Sequence, residues 1–131
     1  MDAPAVAVSS DGKKTAIAWM DMRAGRNDRS VFWSIATGGA FPPEASAADD
    51  AKDIQSHPSL CIDAAGEVHI AFEDMKSGKQ ICHRTGAKGA KDAVISGDDR
   101  DCTYPSLACG KSVGLAYESS GKVVFRVVSS Q

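Results

Sequence analysis

The amino-acid sequence predicts an all-β fold, specifically a β-propeller built of three blade repeats per chain. The first observation is a recurring proline that opens three similar stretches, at Pro4, Pro58 and Pro105. The second is a short apolar run after each proline, closed by a glycine-containing turn. The third is a strand-like run in each stretch that carries an alanine followed by an aromatic residue: Ala18-Trp19, Ala71-Phe72 and Ala116-Tyr117. Repeats of about 50 residues made of short strands are typical of propeller blades.

Each repeat is predicted to run strand, turn, strand, turn, strand. In the first repeat, Ala5–Val8 predicts a strand, residues 9–12 a turn and residues 15–20 a second strand. Third strands are predicted at residues 30–36, 80–84 and 122–128. Weaker outer strands are predicted at residues 92–96 and after residues 41–45, with none in the third repeat. The sequence therefore predicts a single domain, 1–131, with blade repeats of approximately 1–53, 54–101 and 102–131.

Alternation of side-chain size predicts how the blades pack. Along residues 15–20, Thr15, Ile17 and Trp19 point to one face, and the residues between them, two of which are alanines, point to the other. The same alternation recurs in the second and third repeats. Because stacked sheets lie about 10 Å apart, a small residue on one sheet leaves room for a bulky residue on its neighbour. We therefore interpret the recurring aromatic residues as core residues between blades.

Composition excludes several classes of function. The chain has 131 residues, is 43% hydrophobic and carries a net charge of −2 with both signs interspersed. It has no basic run that would indicate nucleic-acid binding and no apolar stretch of the roughly 20 residues needed to cross a membrane. No secretory signal is recognised, and no cofactor or metal is expected.

The four cysteines lack the paired spacing of a structural zinc site. Cys61 and Cys109 fall in predicted first strands, and we interpret them as small buried apolar residues. Cys82 and Cys102 flank the connection between the second and third repeats. A disulfide between these two is an alternative for an oxidising compartment.

The repeats resemble a known family. The run 18–25, Ala-Trp-Met-Asp-Met-Arg-Ala-Gly, is similar to the conserved segment of sialidase-type propeller repeats. The Asp box that follows it in that family is degenerate here: Ser34, Gly38 and Phe41 match, whereas Ala36 and Ala40 replace its aspartate and threonine. The resemblance covers the whole chain at the level of repeats. It implies a propeller and favours an extracytoplasmic location.

Sialidases use an arginine triad, an acidic acid/base and a tyrosine nucleophile paired with a glutamate, and this set cannot be placed on the sequence. The residues before the three prolines are Ala3, His57 and Tyr104, none of them an arginine. Tyr117 and Glu118 are adjacent on one strand and point to opposite faces. We therefore expect no sialidase catalysis, and whether the chain is an enzyme at all stays open.

A candidate ligand site is predicted where first strands begin and second strands end, because antiparallel pairing brings these ends to the same edge. The polar and aromatic side chains that fall there, at the mouth of the propeller channel, are Asp21, Arg23, His57, Glu73, Asp74, Tyr104 and Glu118. The alternative for the recurring aspartates is a structural role, accepting backbone hydrogen bonds in the turns before Gly25 and Gly78. His69 is expected to be a packed histidine with one hydrogen bond, and His83 and Arg84 partly exposed strand residues.

Three blades cannot close a ring, which makes assembly part of the prediction. Closed propellers have about four to eight blades, so a homodimer would give a six-bladed ring. The competing interpretations are a fragment of a longer propeller and a single-chain β-sandwich. The repeat period of about 50 residues argues against the sandwich.

Three functional hypotheses follow. The first is a non-catalytic propeller module that binds a glycan or another small polar ligand at the channel mouth. The second is a glycoside hydrolase acting through carboxylates such as Glu73 and Asp74, which would need set separations of about 5 to 10 Å. The third is a structural or protein-interaction ring.

Overall fold

A computed structural model of the chain describes residues 4–22, 29–46 and 54–130. Within these ranges the protein is all-β: eleven strands form three antiparallel sheets, and no helix occurs. The sheets follow one another along the chain, and neighbouring strands in each sheet are consecutive in sequence. This up-and-down order is what the predicted strand–turn–strand repeats require.

The three sheets have nearly the same plan. Sheet I contains β1 (Ala5–Val8), β2 (Lys14–Asp21), β3 (Ser30–Thr37) and β4 (Ala45–Ser46). Sheet II contains β5 (Gln55–Ile62), β6 (Val68–Asp74), β7 (Gln80–Thr85) and β8 (Ala93–Val94). Sheet III contains β9 (Cys102–Cys109), β10 (Ser112–Ser119) and β11 (Lys122–Ser130). All predicted first, second and third strands are confirmed, and the outer strands are pairs of residues.

Sheet II lies between the other two and packs against both. One core joins sheets I and II, where Ala16 and Ala18 contact the larger Ile70 and Phe72. A second core joins sheets II and III, where Ala71 lies among Leu115, Tyr117 and their neighbours. The predicted interleaving of small and bulky faces is therefore confirmed in both cores.

A repeated bulge interrupts the first strand of sheets II and III. In β5, His57 and Pro58 together lie opposite Phe72, and the register shifts between Ser56 and Ser59. In β9, residues 104 and 105 likewise lie opposite residue 117. Proline has no N–H to donate to a ladder, so a bulge is one of the few places where a strand tolerates it.

The cysteine pairing differs from the prediction. Cys61 and Cys109 form a disulfide, with their Cα atoms 5.7 Å apart, that links β5 of sheet II to β9 of sheet III. Cys82 and Cys102 remain buried thiols outside this disulfide. The interpretation of Cys61 and Cys109 as unpaired apolar residues was therefore wrong, and the alternative disulfide between Cys82 and Cys102 does not form. Pairing depends on which first strands lie side by side, and chain spacing does not reveal this.

Gln55 also joins two sheets and was not predicted to do so. Its side chain is fully buried, and its Oε1 accepts a hydrogen bond from the Val31 backbone N–H at 3.2 Å. Its own backbone N–H donates to the Arg29 carbonyl at 2.9 Å. Sheet I is thereby fixed against the first residues of β5, the end of the strand that carries the candidate site.

Candidate functional site

The start of β5 and the end of β6 meet at one edge of sheet II, as predicted. Gln55 pairs with Asp74 and Ser56 with Glu73. The following bulge places His57 next to Glu73, and Tyr104 approaches from the equivalent bulge of sheet III. Three of the seven predicted site residues, His57, Glu73 and Tyr104, are thus brought into one cluster that spans two sheets.

The cluster is layered from a buried carboxylate to an exposed phenol. Glu73 is buried, and its Oε2 accepts a hydrogen bond from Ser56 Oγ at 3.1 Å and lies against His57 Nδ1. The His57 ring, about one third exposed, meets the Tyr104 ring edge to face with centroids 4.8 Å apart. Tyr104 is 60% exposed. Glu73 therefore holds the imidazole from below while the phenol ring is open to solvent.

Both ring-bearing residues adopt an unusual backbone conformation. His57 has φ of 49° and Tyr104 has φ of 54°, in the left-handed region that non-glycine residues rarely occupy. Such a residue costs roughly 1 to 2 kcal/mol and persists where the surrounding structure imposes it, often beside binding sites. The bulge redirects the two side chains toward each other, which regular alternation along a strand would not do.

The chemistry of this cluster suits a small polar ligand. The imidazole and the phenol hydroxyl can each donate or accept hydrogen bonds. The exposed Tyr104 ring adds an apolar face with a polar tip, a combination common at binding surfaces. Because Glu73 lies against the imidazole and is itself hydrogen-bonded by Ser56, a ligand would meet a partly preformed surface.

The other predicted site residues have different surroundings. Asp74 is buried, with Oδ1 accepting the Lys76 backbone N–H at 2.7 Å and Oδ2 accepting Gln55 Nε2 at 3.3 Å. The structural alternative is therefore confirmed for Asp74. Asp21 is half-buried at the end of β2, and Glu118 is half-buried opposite Thr103 on β9. Arg23 lies outside the described residues.

Ser56 is a contributor to the cluster that the sequence analysis missed. A signal for it exists, because a hydroxyl residue stands two positions before the proline in both the second and the third repeat. Ser56 pairs with Glu73, and Thr103 pairs with Glu118 in the same register. The recurring hydroxyl and glutamate pair could have been recognised by aligning the repeats on their prolines.

A cavity of about 550 Å³ lies elsewhere on sheet II and is lined by polar side chains, including Asp74, Gln80, Arg84 and Asp92. The Arg84 guanidinium that lines this cavity already has partners. It packs over the Trp33 ring at 4.5 Å, and its Nη1 lies 3.2 Å from Asp92 Oδ1. Trp33 is buried. The Arg84 guanidinium of this cavity is therefore committed to contacts within the chain.

A second polar cluster is buried on the face of sheet II turned toward sheet III. Asp63 Oδ2 lies 2.9 Å from His69 Nε2, and His69 Nδ1 lies 3.0 Å from His83 Nε2. With His69 donating to the carboxylate, its Nδ1 accepts the proton of His83. His69 thus has two partners where one was expected, and His83 is buried, contrary to the prediction of partial exposure.

Burial determines the protonation of this chain of groups. Burial, with a smaller effect from the neighbouring His69 ring, lowers the pKa of His83 to about 4. Burial raises the pKa of Asp63, but hydrogen bonds from the His69 ring and the Glu67 backbone outweigh it, so the Asp63 pKa lies below its usual value. Near neutral pH the chain therefore contains an ionised carboxylate and a neutral His83.

Acidification is expected to destabilise the protein through His83. In the unfolded chain a histidine binds a proton below about pH 6.5, whereas folded His83 does so only near pH 4. The free energy of unfolding should therefore fall by roughly 1 to 3 kcal/mol between those two values. Urea unfolding followed across this range measures the fall. His83→Gln should reduce this fall in stability, and an unchanged pH profile in His83→Gln would contradict the assignment.

Asp63, Glu67 and His69 form a group with the composition of a cation site, their ligand atoms lying within 4.8 Å of one another. The Asp63 oxygens, however, already accept hydrogen bonds. Oδ1 accepts the backbone N–H groups of Ala65 and Glu67 at 3.0 and 2.9 Å, and Oδ2 contacts His69. This geometry is that of a hydrogen-bonded turn between β5 and β6.

Comparison with known proteins bears on the fold. The chain is similar in structure to a fucose lectin from Kordia zhangzhouensis solved in complex with methyl-fucoside. The TM-score is 0.60 at 8% identity, covering 98% of this chain and 94% of the lectin chain. It is also similar to a thermostable family-43 glycoside hydrolase, with a TM-score of 0.52 at 10% identity, covering 93% of this chain. The match covers 52% of the hydrolase, so this chain spans about half of that protein.

Both of these proteins have β-propeller folds. No protein-family description and no curated protein matches the sequence. The likeness thus supports the propeller class, and the assignment to the sialidase type stays a prediction. In the part of the chain that the structure describes, no helix is long and apolar enough to cross a membrane.

Proposed function

We propose that this protein is a carbohydrate-binding β-propeller module of sialidase-like type whose three sheets are three blades. The observation that carries the proposal is the cluster of His57, Glu73 and Tyr104 at the edge where first strands begin. Structural similarity to a lectin and to a glycoside hydrolase supports it, since both of those proteins engage carbohydrates.

The proposed site would recognise a sugar through two kinds of contact. The exposed Tyr104 ring would stack on the apolar face of a pyranose, and the His57 imidazole would hydrogen-bond its hydroxyl groups. Glu73 would act mainly by orienting His57, because its carboxylate is buried and already accepts from Ser56. Asp21 and Glu118, half-buried at neighbouring strand ends, would complete the polar rim.

We further propose that two copies of the chain complete one six-bladed ring. A pocket at a channel mouth needs walls on all sides, and three sheets in a row supply only half of a six-bladed circle. A two-fold axis is the commonest symmetry of oligomers. Each copy would contribute one His57, Glu73 and Tyr104 cluster to the mouth.

Glycan-array binding followed by calorimetry tests the proposed site. Glu73→Gln and Tyr104→Ala are each expected to weaken binding of the best glycan by about ten-fold or more. The first removes the carboxylate charge that holds His57, and the second removes a stacking ring. Glu67→Gln, at the opposite end of β6, and Phe41→Ala, at an exposed aromatic residue, are the matched controls.

The same experiment separates the functional alternatives. If the protein hydrolyses a chromogenic glycoside and Glu73→Gln abolishes this turnover, the function is glycoside hydrolysis and not binding alone. Absence of both binding and turnover would leave a structural or protein-interaction ring. Equal losses in the Glu73 and Glu67 variants would contradict the location of the site.

A further inference from the structure

Several of the most exposed apolar side chains lie on the outward faces of the first and last sheets. Val6 and Val8 of β1 are 66% and 58% exposed on sheet I. Val123, Phe125 and Val127 of β11 are 83%, 67% and 57% exposed on sheet III. Their spacing of two residues puts each set on one face of its strand. Contiguous apolar surface of this kind is typical of an interface.

The two internal interfaces follow one rule. The face of a sheet that carries small residues on its second strand packs against the bulky face of the next sheet in the chain. Between sheets I and II the small residues are Ala16 and Ala18. Between sheets II and III the small residue is Ala71, which packs in the core that contains Leu115 and Tyr117.

The same rule predicts that the two outward faces, of sheet III and sheet I, fit each other. The outward face of sheet III carries Gly114 and Ala116 on β10, and a side chain at Gly114 would approach the Phe125 ring to 2.9 Å. The outward face of sheet I carries Ile17 and Trp19 on β2, the latter stacked on Phe32 with centroids 6.2 Å apart. One face is small where the other is bulky, as at both internal interfaces.

We propose that the outward face of sheet III binds the outward face of sheet I of a second copy, head to tail, and that the two-fold axis closes the ring with two such interfaces. This inference rests on the dimer of the proposed function and names the surfaces that form it. The site is incomplete without the second copy, because Tyr104, whose ring contacts His57 on one side, would gain the partner's sheet I on the other.

The positions of the two disulfide cysteines predict which residues of the two first strands face each other at this interface. Cys61 stands three residues after Pro58, and Cys109 stands four residues after Pro105. Ala7 and Ile62 hold these two positions at the interface of sheets I and II, and both pack against that core. By the same rule, the corresponding pair at the proposed interface is Ala108 of one copy and Val8 of the other.

A backbone contact follows the same register. The Leu107 N–H donates to Ser59 Oγ at 2.9 Å across the interface of sheets II and III. Ser59 follows Pro58 directly, and the residue in that position of sheet III is Ser106, which is exposed. Ser106 would accept the N–H of the partner's Val6, the residue that corresponds to Leu107.

Engineered cross-linking tests the register. The double variant Ala108→Cys with Val8→Cys, oxidised under mild conditions, should run mainly as a covalent dimer on a non-reducing gel and as a monomer after reduction. The matched control pairs Ala108→Cys with Val94→Cys, an exposed valine on the outer strand of sheet II, and should stay mostly uncross-linked. A ladder of larger covalent oligomers would overturn closure by a two-fold axis.

A second variant tests the same interface without new cysteines, in case the double cysteine variant fails to fold. Phe125→Glu, at an exposed position, should leave the melting temperature of the chain nearly intact at low concentration and weaken dimerisation at least 100-fold by sedimentation. A dimer that neither cross-links nor responds to Phe125→Glu would overturn the named faces alone. A wild-type monomer would overturn both the faces and the ring, while the glycan assay separately reports whether the proposed site binds a sugar.

Discussion

Replacement of both Cys61 and Cys109 by alanine is expected to lower the free energy of unfolding by about 4 kcal/mol. The disulfide joins residues 48 positions apart, and closing a loop of that length removes about this much conformational entropy from the unfolded chain. It also ties sheet II to sheet III at their first strands, next to the second core. For a chain of this size the melting temperature should fall by roughly 10 to 20 °C.

Calorimetry and chemical unfolding measure this loss, with reductant as an internal control. Reductant should destabilise the wild-type protein to about the level of the double variant and leave the double variant unchanged. A loss of less than about 1 kcal/mol would show that the pairing of Cys61 with Cys109 contributes little to the fold.

Phe72→Ala is expected to cost about 3 to 5 kcal/mol, the range for removing a large aromatic side chain from a close-packed core. Phe72 is fully buried between sheets I and II, among Ala18, Ile70 and their neighbours. It also lies opposite the bulge of His57 and Pro58, so the cavity would form directly behind the candidate site.

Urea unfolding of this variant is compared with that of Phe41→Ala, which removes the same atoms from an exposed position and should change stability by less than about 0.5 kcal/mol. If Phe72→Ala shows no cooperative unfolding transition, the loss of stability is large enough to unfold the protein, which also agrees with the prediction. Equal stabilities of the two variants would contradict the placement of Phe72 at the centre of the first core.

The strand pattern could be predicted because it depends on local periodicity and turn chemistry. Alternation along residues 15–20 is visible in the sequence, and so is the turn at Asp11 and Gly12, where Gly12 has φ of 72°. The alanine that recurs before each aromatic residue even indicated how neighbouring sheets interleave. These features require no knowledge of which segments become neighbours in space.

The disulfide and the buried histidine pair could not be predicted in the same way. Cys61 and Cys109 meet because β5 and β9 lie side by side, and His69 meets His83 because β6 pairs with β7 in a particular register. An error of one residue in register would place either histidine on the other face. Such contacts are properties of the packed sheets.

Part of the candidate site could be predicted from the sequence and part could not. Antiparallel order correctly placed His57 beside Glu73, and Tyr104 joined them through the repeated bulge. The left-handed backbone at His57 and Tyr104 was not apparent from their side chains, since neither is a glycine. The Asp74 carboxylate accepts the backbone N–H of Lys76, the kind of turn hydrogen bond that the structural alternative predicted.

The molar mass of the protein in solution tests the central claim, that this chain is half of a propeller ring. Size-exclusion chromatography with light scattering should give twice the chain mass of 13.7 kDa at micromolar concentration. A stable species of 13.7 kDa that unfolds cooperatively would contradict it, because the exposed valines of sheets I and III would then have no partner to cover them.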